Sequence, residues 1–158
     1  MNKRILVMYY SHSGNTKRLA ELIAARTHGD LLAIEPETPY PTAYDTVVAQ
    51  AKKEIRDGYQ PPITTPGDAA DAYDVVFIGT PNWWSTVAPP IATFLSAADL
   101  SDKTIIPFCT HGGGGEARCF SDTAKHSRGA ITQKGFSAYG DSAMPADIDA
   151  WLRELGMA

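Results

Sequence analysis

The chain has 158 residues, 44% of them hydrophobic and 20% charged, with a formal net charge of −4. That length and composition fit a single soluble domain spanning residues 1–158, and the acidic balance offers no basic footprint for nucleic acid or an anionic membrane surface. No apolar run reaches the roughly 20 residues needed to cross a bilayer, and strand-like sequence begins almost at once, so no signal peptide is expected and the expected compartment is the cytoplasm.

Ile5 to Tyr10 is a continuous, β-favouring apolar run, the pattern of a central parallel strand covered on both faces. From Thr16 to Arg26 good helix formers carry apolar residues at Leu19, Leu22 and Ile23, so a helix follows. Between them lies the turn Ser11-His12-Ser13-Gly14-Asn15-Thr16. At a helix N-terminus the first backbone N–H groups lack internal partners, and the helix dipole adds roughly half a positive charge. The hydroxyls of Ser11, Ser13 and Thr16, the Asn15 amide and the small Gly14 can therefore converge on a phosphate there. Two better-known phosphate loops are excluded, because neither G-x-x-x-x-G-K-[ST] nor G-x-G-x-x-G occurs. The same residue types also make plain turns and helix caps. Their position after the first strand favours a ligand.

Asp30 to Glu35 reads as a second strand, ended by Pro36, Pro39 and Pro41. Tyr44, Val47, Val48, Ala51 and Ile55 form one face of a second helix, which Gly58 closes. Gly58 to Asp71 has little periodicity and is a long, proline-containing loop, suited to draping over a site or a partner. Val75 to Gly79 is a third strand, and Pro89 and Pro90 open a third helix bearing Ile91, Phe94, Leu95 and Ala98. Thr104 to Thr110 is a fourth strand in which Pro107 is out of place, followed by a weaker helix from Glu116 to about His126. Gly135 to Gly140 supplies a fifth strand, and Ile148, Trp151, Leu152 and Leu155 a C-terminal helical stripe.

Strands alternating with helices predict an α/β fold: a doubly wound five-stranded parallel sheet with helices on both faces. Ligands of such sheets lie beyond the C-terminal strand ends, where the strand order reverses. Three loops with unusual chemistry leave those ends: Ser11 to Thr16, Thr80-Pro81-Asn82-Trp83-Trp84-Ser85-Thr86, and Thr110-His111-Gly112-Gly113-Gly114-Gly115. These loops resemble those of the flavodoxin-like FMN proteins, in particular short-chain members with a similar hydroxyl-G-N-T loop, P-x-W-W loop and T-H-G-G-G-G loop. The resemblance covers nearly the whole chain. It implies the strand order 2-1-3-4-5 with FMN at the switch point. It also implies that Ser11, His12, Ser13, Gly14, Asn15 and Thr16 hold the FMN phosphate. Thr80, Pro81, Asn82, Trp83 and Trp84 would then enclose the isoalloxazine together with Thr110, His111, Gly112, Gly113 and Gly114.

The chemistry suits those assignments. A flavin ring has large apolar faces and a polar edge, so it needs a flat aromatic neighbour and close backbone donors. In an extended segment adjacent side chains point opposite ways, so one tryptophan is expected to stack and the other to pack elsewhere. Trp83 is the expected stacker, matching the position where flavodoxins carry one; the alternative is that both tryptophans are packing residues. The glycines would let backbone N–H groups approach the ring edge, the alternative being simple loop flexibility.

Two departures from the flavodoxin pattern bear on function. Where low-potential carriers add a second aromatic from the third loop, this chain offers His111 and glycines, and Ser85-Thr86 stand where acidic residues are usual. One flavin face is thereby expected to be open. The first reading is electron transfer through non-covalently bound FMN to a redox partner protein or a small-molecule acceptor. The second is an NAD(P)H-dependent quinone or nitro-compound reductase in which His111 donates a proton, against the plainer alternative that His111 caps its own loop. The third is a flavin-free phosphate-binding or interaction domain. No chemistry is assigned to His12, His28 or His126, and a monomer or weak homodimer is expected. Cys109 and Cys119 lack metal-ligand spacing, so no metal is expected and free thiols are, with a redox-active pair as the alternative.

Overall fold

The computed structural model describes residues 3–157, and the expected domain span runs beyond these at 1–2 and 158. The chain runs β1 (Ile5–Tyr9), α1 (Asn15–Thr27), β2 (Asp30–Ala33), α2 (Tyr44–Asp57), β3 (Val75–Pro81), α3 (Pro89–Ala97), β4 (Thr104–His111), α4 (Cys119–His126), β5 (Ile131–Thr132), β6 (Phe136–Tyr139) and α5 (Pro145–Glu154). The strands form one sheet in the order β2-β1-β3-β4-β5, with β6 also beside β4, and the pairings are parallel. This is the doubly wound α/β architecture with the 2-1-3-4-5 order expected above.

The alternation of side chains along β1 divides the core in two. Leu6, Met8 and Tyr10 face one layer with Val47 of α2, Ile91, Phe94 and Leu95 of α3 and Cys119 of α4. Val7 and Tyr9 face the other, with Leu19, Ala20 and Ile23 of α1 and Ile148, Trp151 and Leu152 of α5. Both faces of the sheet are covered, which is why the central strands read as unbroken apolar runs. Gly79 pairs with Phe108, and the Phe108 ring occupies the space beside it: a Cβ built there would lie 2.1 Å from that ring. Any side chain at this position must displace a fully buried aromatic.

Three segments add to or differ from the sequence reading. The expected fifth strand, Gly135 to Gly140, is β6, and a further short strand, β5, precedes it beside β4; Pro107 explains the break between the two. The carbonyls of Lys103 and Ile105 accept from Ile131 and Gln133, so odd-numbered residues of this strand face the outer neighbour. The missing N–H of Pro107 falls on that side, and the ladder resumes only at Phe108↔Phe136. The 58–71 loop is fastened at two places: to the segment after β2, where Ile63 bridges Pro36 and Thr64 N–H donates to the Glu35 carbonyl, and to α3, where the Thr93 hydroxyl donates to the Pro61 carbonyl. Helix α4 begins later than expected, at Cys119, because Ala117 takes a left-handed conformation (φ 44°). Among the described residues no helix is long and apolar enough to cross a membrane.

Candidate functional site

The carboxyl ends of β1, β3 and β4 are adjacent, and their loops are joined to one another. At the first, Gly14 has φ 100° and precedes Asn15, the first helical residue, with no side chain capping the helix. The Ser11 hydroxyl accepts from Gly14 N–H at 3.1 Å, which shapes the turn. The first helical hydrogen bond runs from Arg18 N–H to the Gly14 carbonyl, so the N–H groups of Asn15, Thr16 and Lys17 precede the ladder. Ser13 and Gly14 are exposed and Asn15 is half-buried beside those donors. A Cβ at Gly14 would meet nothing within 4 Å, so the backbone there is open to a ligand. This is an anion site in its donor set and its dipole.

Other residues of the turn do different work. Thr16 is 2% exposed, and its hydroxyl lies 2.7 Å from that of Thr110, itself 4% exposed, a bond that ties the first loop to the third. Thr16→Val alone and Thr110→Val alone are each expected to cost about 1–3 kcal/mol, because each leaves one buried hydroxyl unpaired. The double variant should lose less than the sum, and urea unfolding of all four proteins measures the coupling. His12 is also a tie: its Nε2 donates to the Pro41 carbonyl at 2.8 Å, fastening the turn to the connection after β2.

The second loop contains a two-residue turn. Trp83 and Thr86 exchange backbone hydrogen bonds at 3.1 and 3.2 Å, and the residues between them, Trp84 (φ 54°) and Ser85 (φ 73°), are both left-handed. The segment is therefore not extended. The two tryptophans diverge because the chain reverses between them, and side-chain alternation plays no part. Trp84, 46% exposed, is held on α2: its indole N–H donates to the Val48 carbonyl at 3.0 Å, and the Lys52 ammonium lies 5.1 Å from its ring centroid. Trp83 turns inward. Its ring meets those of Tyr10, Tyr40 and His12 edge-on, with centroids 5.5, 5.1 and 5.9 Å away. Rings arranged edge-on around Trp83 fix its plane.

Asn82, Thr80 and Pro81 support these loops. Asn82 joins the second loop to the third: its N–H donates to the Thr110 carbonyl, its amide to the Gly115 carbonyl at 2.8 Å, and its side-chain oxygen accepts from Ser85 N–H. Thr80 is buried and its hydroxyl accepts from Ala88 N–H at the start of α3 while donating to the Pro81 carbonyl. Thr86 donates to Asp122, and Arg118 N–H to the Ser85 carbonyl, fastening the turn to α4. In the third loop, His111 Nδ1 accepts from Gly113 N–H at 3.0 Å, which places the imidazole proton on Nε2. The histidine orients its own loop and retains one free donor. Gly112, Gly113 and Gly114 are exposed.

Three residues of this region escape the sequence reading. Tyr40 comes from the proline-rich connection after β2; burial, and then its hydrogen bond to Glu54, push its phenol well above the ordinary range. Tyr10 ends the first apolar run, and burial raises its phenol likewise. Both remain neutral and support Trp83. Tyr139, 62% exposed at the end of β6, stands edge-on to His111 with centroids 6.0 Å apart. An aromatic does reach this side, from β6 rather than from the third loop. The available signal was positional: every strand of a parallel sheet delivers a loop to the same end.

A doubly wound sheet with an open helix N-terminus beside an oriented tryptophan at its switch point defines a cofactor-binding α/β protein. The chain belongs to the flavodoxin family, whose model, described as Flavodoxin, matches residues 4–155. A solved structure from Bacteroides eggerthii is 32% identical, with a TM-score of 0.87 covering 98% of this chain and 99% of that one. A flavoprotein from Lactobacillus acidophilus, solved in complex with FMN, is 25% identical, with a TM-score of 0.75 covering 95% of this chain and 99% of that one. A Cupriavidus metallidurans protein named NAD(P)H dehydrogenase (quinone) is 33% identical over 132 residues, 75% of this chain and 63% of that protein. The chain thus spans less than two thirds of that relative's length.

Proposed function

We propose that the chain binds FMN non-covalently at the joined loops and transfers electrons through it, to a redox partner protein or a small-molecule acceptor. The observation that carries this reading is the pairing of an anion site at the α1 N-terminus with the Trp83 ring, joined through His12, so that one ligand with a phosphate and a planar ring uses both. FMN, when bound, supplies reversible one- and two-electron chemistry. The residues do the rest. Free N–H groups of Asn15 to Lys17 and the Ser13 hydroxyl anchor the phosphate. Trp83, fixed by Tyr10 and Tyr40, orients the ring and excludes water from one side. The exposed backbone of Gly112 to Gly114 offers donors to a polar ring edge, and His111 Nε2–H is a proton donor on the side where Tyr139 stands.

The names of the curated relatives favour a second reading, an NAD(P)H-dependent quinone reductase. Hydride transfer requires a nicotinamide stacked on the flavin face, whereas single electrons pass through an exposed edge. Anaerobic mixing of the FMN-loaded protein with NADH or NADPH, followed by absorbance, separates the two. No bleaching on mixing is expected for the carrier, with full bleaching by dithionite as the control. Bleaching within seconds would establish the reductase.

A further inference from the structure

Two nucleophilic side chains take no part in the cofactor site. Cys109 on β4 and Cys119, the first residue of α4, are both fully buried, and their sulfurs are 3.7 Å apart. Between them runs the whole third loop, held to the second by Asn82 on Gly115 and by Ser85 on Arg118. We propose that Cys109 and Cys119 form an oxidisable dithiol, converted by hydrogen peroxide into a disulfide that tethers the two ends of the glycine-rich loop.

A disulfide needs its sulfurs at about 2.0 Å, so the two need to close by less than 2 Å or so, a movement that side-chain rotation and a small shift of the first turn of α4 supply. The connection can absorb that shift, because it carries left-handed residues at Gly115 and Ala117 just before the helix. The chemistry balances with one peroxide. A cysteine thiolate attacks one peroxide oxygen, giving sulfenic acid and water; the second thiol then attacks that sulfur, forming the S–S bond and releasing a second water. The sulfur pair loses two electrons and the peroxide gains them. The hydrogen bond to Cys119, and burial, push the Cys109 thiol up, which makes the buried pair slow to ionise and sets the millimolar peroxide the reaction needs. Both cysteines are fully buried, so a small peroxide can reach the sulfurs through local fluctuations of the native protein and a bulky aromatic disulfide reagent does not.

Fully reduced native protein is treated with millimolar hydrogen peroxide, unfolded with an alkylating agent present, and digested for mass spectrometry. Expected are a Cys109–Cys119 linked peptide, simultaneous loss of both free thiols, reversal by dithiothreitol, and several-fold slower hydrogen exchange across residues 110–118 in the oxidised form. The native reduced protein should stay unreactive toward the bulky reagent while the unfolded protein titrates fully. Cys119→Ala and Cys109→Ala, each checked for native circular dichroism, should form no link and show no exchange change with peroxide. Two titratable thiols after treatment would overturn the proposal, as would oxidation to sulfinic acid without a link. A link that leaves exchange at 110–118 unchanged would overturn the tether. The linked peptide, the thiol count and the reversal by dithiothreitol do not depend on bound flavin, and exchange across 110–118 is compared between oxidised and reduced protein that are both flavin-free.

Discussion

Trp83→Ala is expected to weaken FMN binding about tenfold or more and to brighten the fluorescence of whatever flavin remains bound, since stacking alone is worth about 0.5–1.5 kcal/mol beyond burial. Trp84→Gly is expected to do neither. The contrast rests on what each ring touches. Trp83 is held edge-on by Tyr10, Tyr40 and His12, so its removal also loosens the aromatic wall and the turn that His12 fastens to Pro41. Trp84 is bonded to α2 and lies at φ 54°, a conformation glycine adopts without strain, so glycine removes the ring while preserving the turn. Titration of each apoprotein with FMN, read by flavin fluorescence, measures both effects. A Trp84→Gly protein that releases FMN while Trp83→Ala retains it would move the stacking role one residue along the chain.

The sheet was legible because its strands are buried on both faces, so Ile5 to Tyr10, Val75 to Gly79 and Thr104 to Thr110 read as unbroken apolar runs. The three loops were legible for a related reason: chemistry-bearing residues sit directly after those runs. What each side chain does there was not. Thr16 and Thr110 are ninety-four positions apart, and only the parallel pairing of their strands through β3 brings two turn hydroxyls into one buried bond. Nor does the sequence mark the reversal at Trp84-Ser85. Turns with two left-handed residues favour Asn-Gly, and here a local bond from Ser85 N–H to the Asn82 side chain and a tertiary one from the Trp84 indole to the Val48 carbonyl hold the conformation on a tryptophan. Tyr40 lies in a stretch that reads as connection, and Tyr139 at the end of a strand too short to signal its partner. Pro107 was visible as an anomaly, but its consequence depends on which neighbour its missing N–H would have faced.

Apoprotein is expected to bind FMN at least about a hundredfold more tightly than riboflavin, because the phosphate alone engages the α1 N-terminus. Each hydrogen bond from a backbone N–H or hydroxyl to a charged group is worth about 1.5–3 kcal/mol, and the helix terminus adds about 0.3–1 kcal/mol. Two such bonds already exceed the roughly 2.7 kcal/mol that a hundredfold requires. The donors are in place: the N–H groups of Asn15, Thr16 and Lys17 precede the first helical bond, Ser13 is exposed beside them, and no side chain caps the helix in their stead. The turn is also preformed, since Ser11 bonds Gly14 N–H and Thr16 is anchored on Thr110, so little ordering opposes binding. Inorganic phosphate should therefore compete with FMN and leave riboflavin affinity unchanged. Ser13→Ala should narrow the preference by roughly tenfold, in line with one lost bond to a charged oxygen. Parallel fluorescence titrations with the two flavins, with and without phosphate, give all of these numbers. Equal affinity for FMN and riboflavin would mean that the turn from Ser11 to Thr16 shapes the backbone only, and that the flavin is held by Trp83 and the third loop without a phosphate anchor.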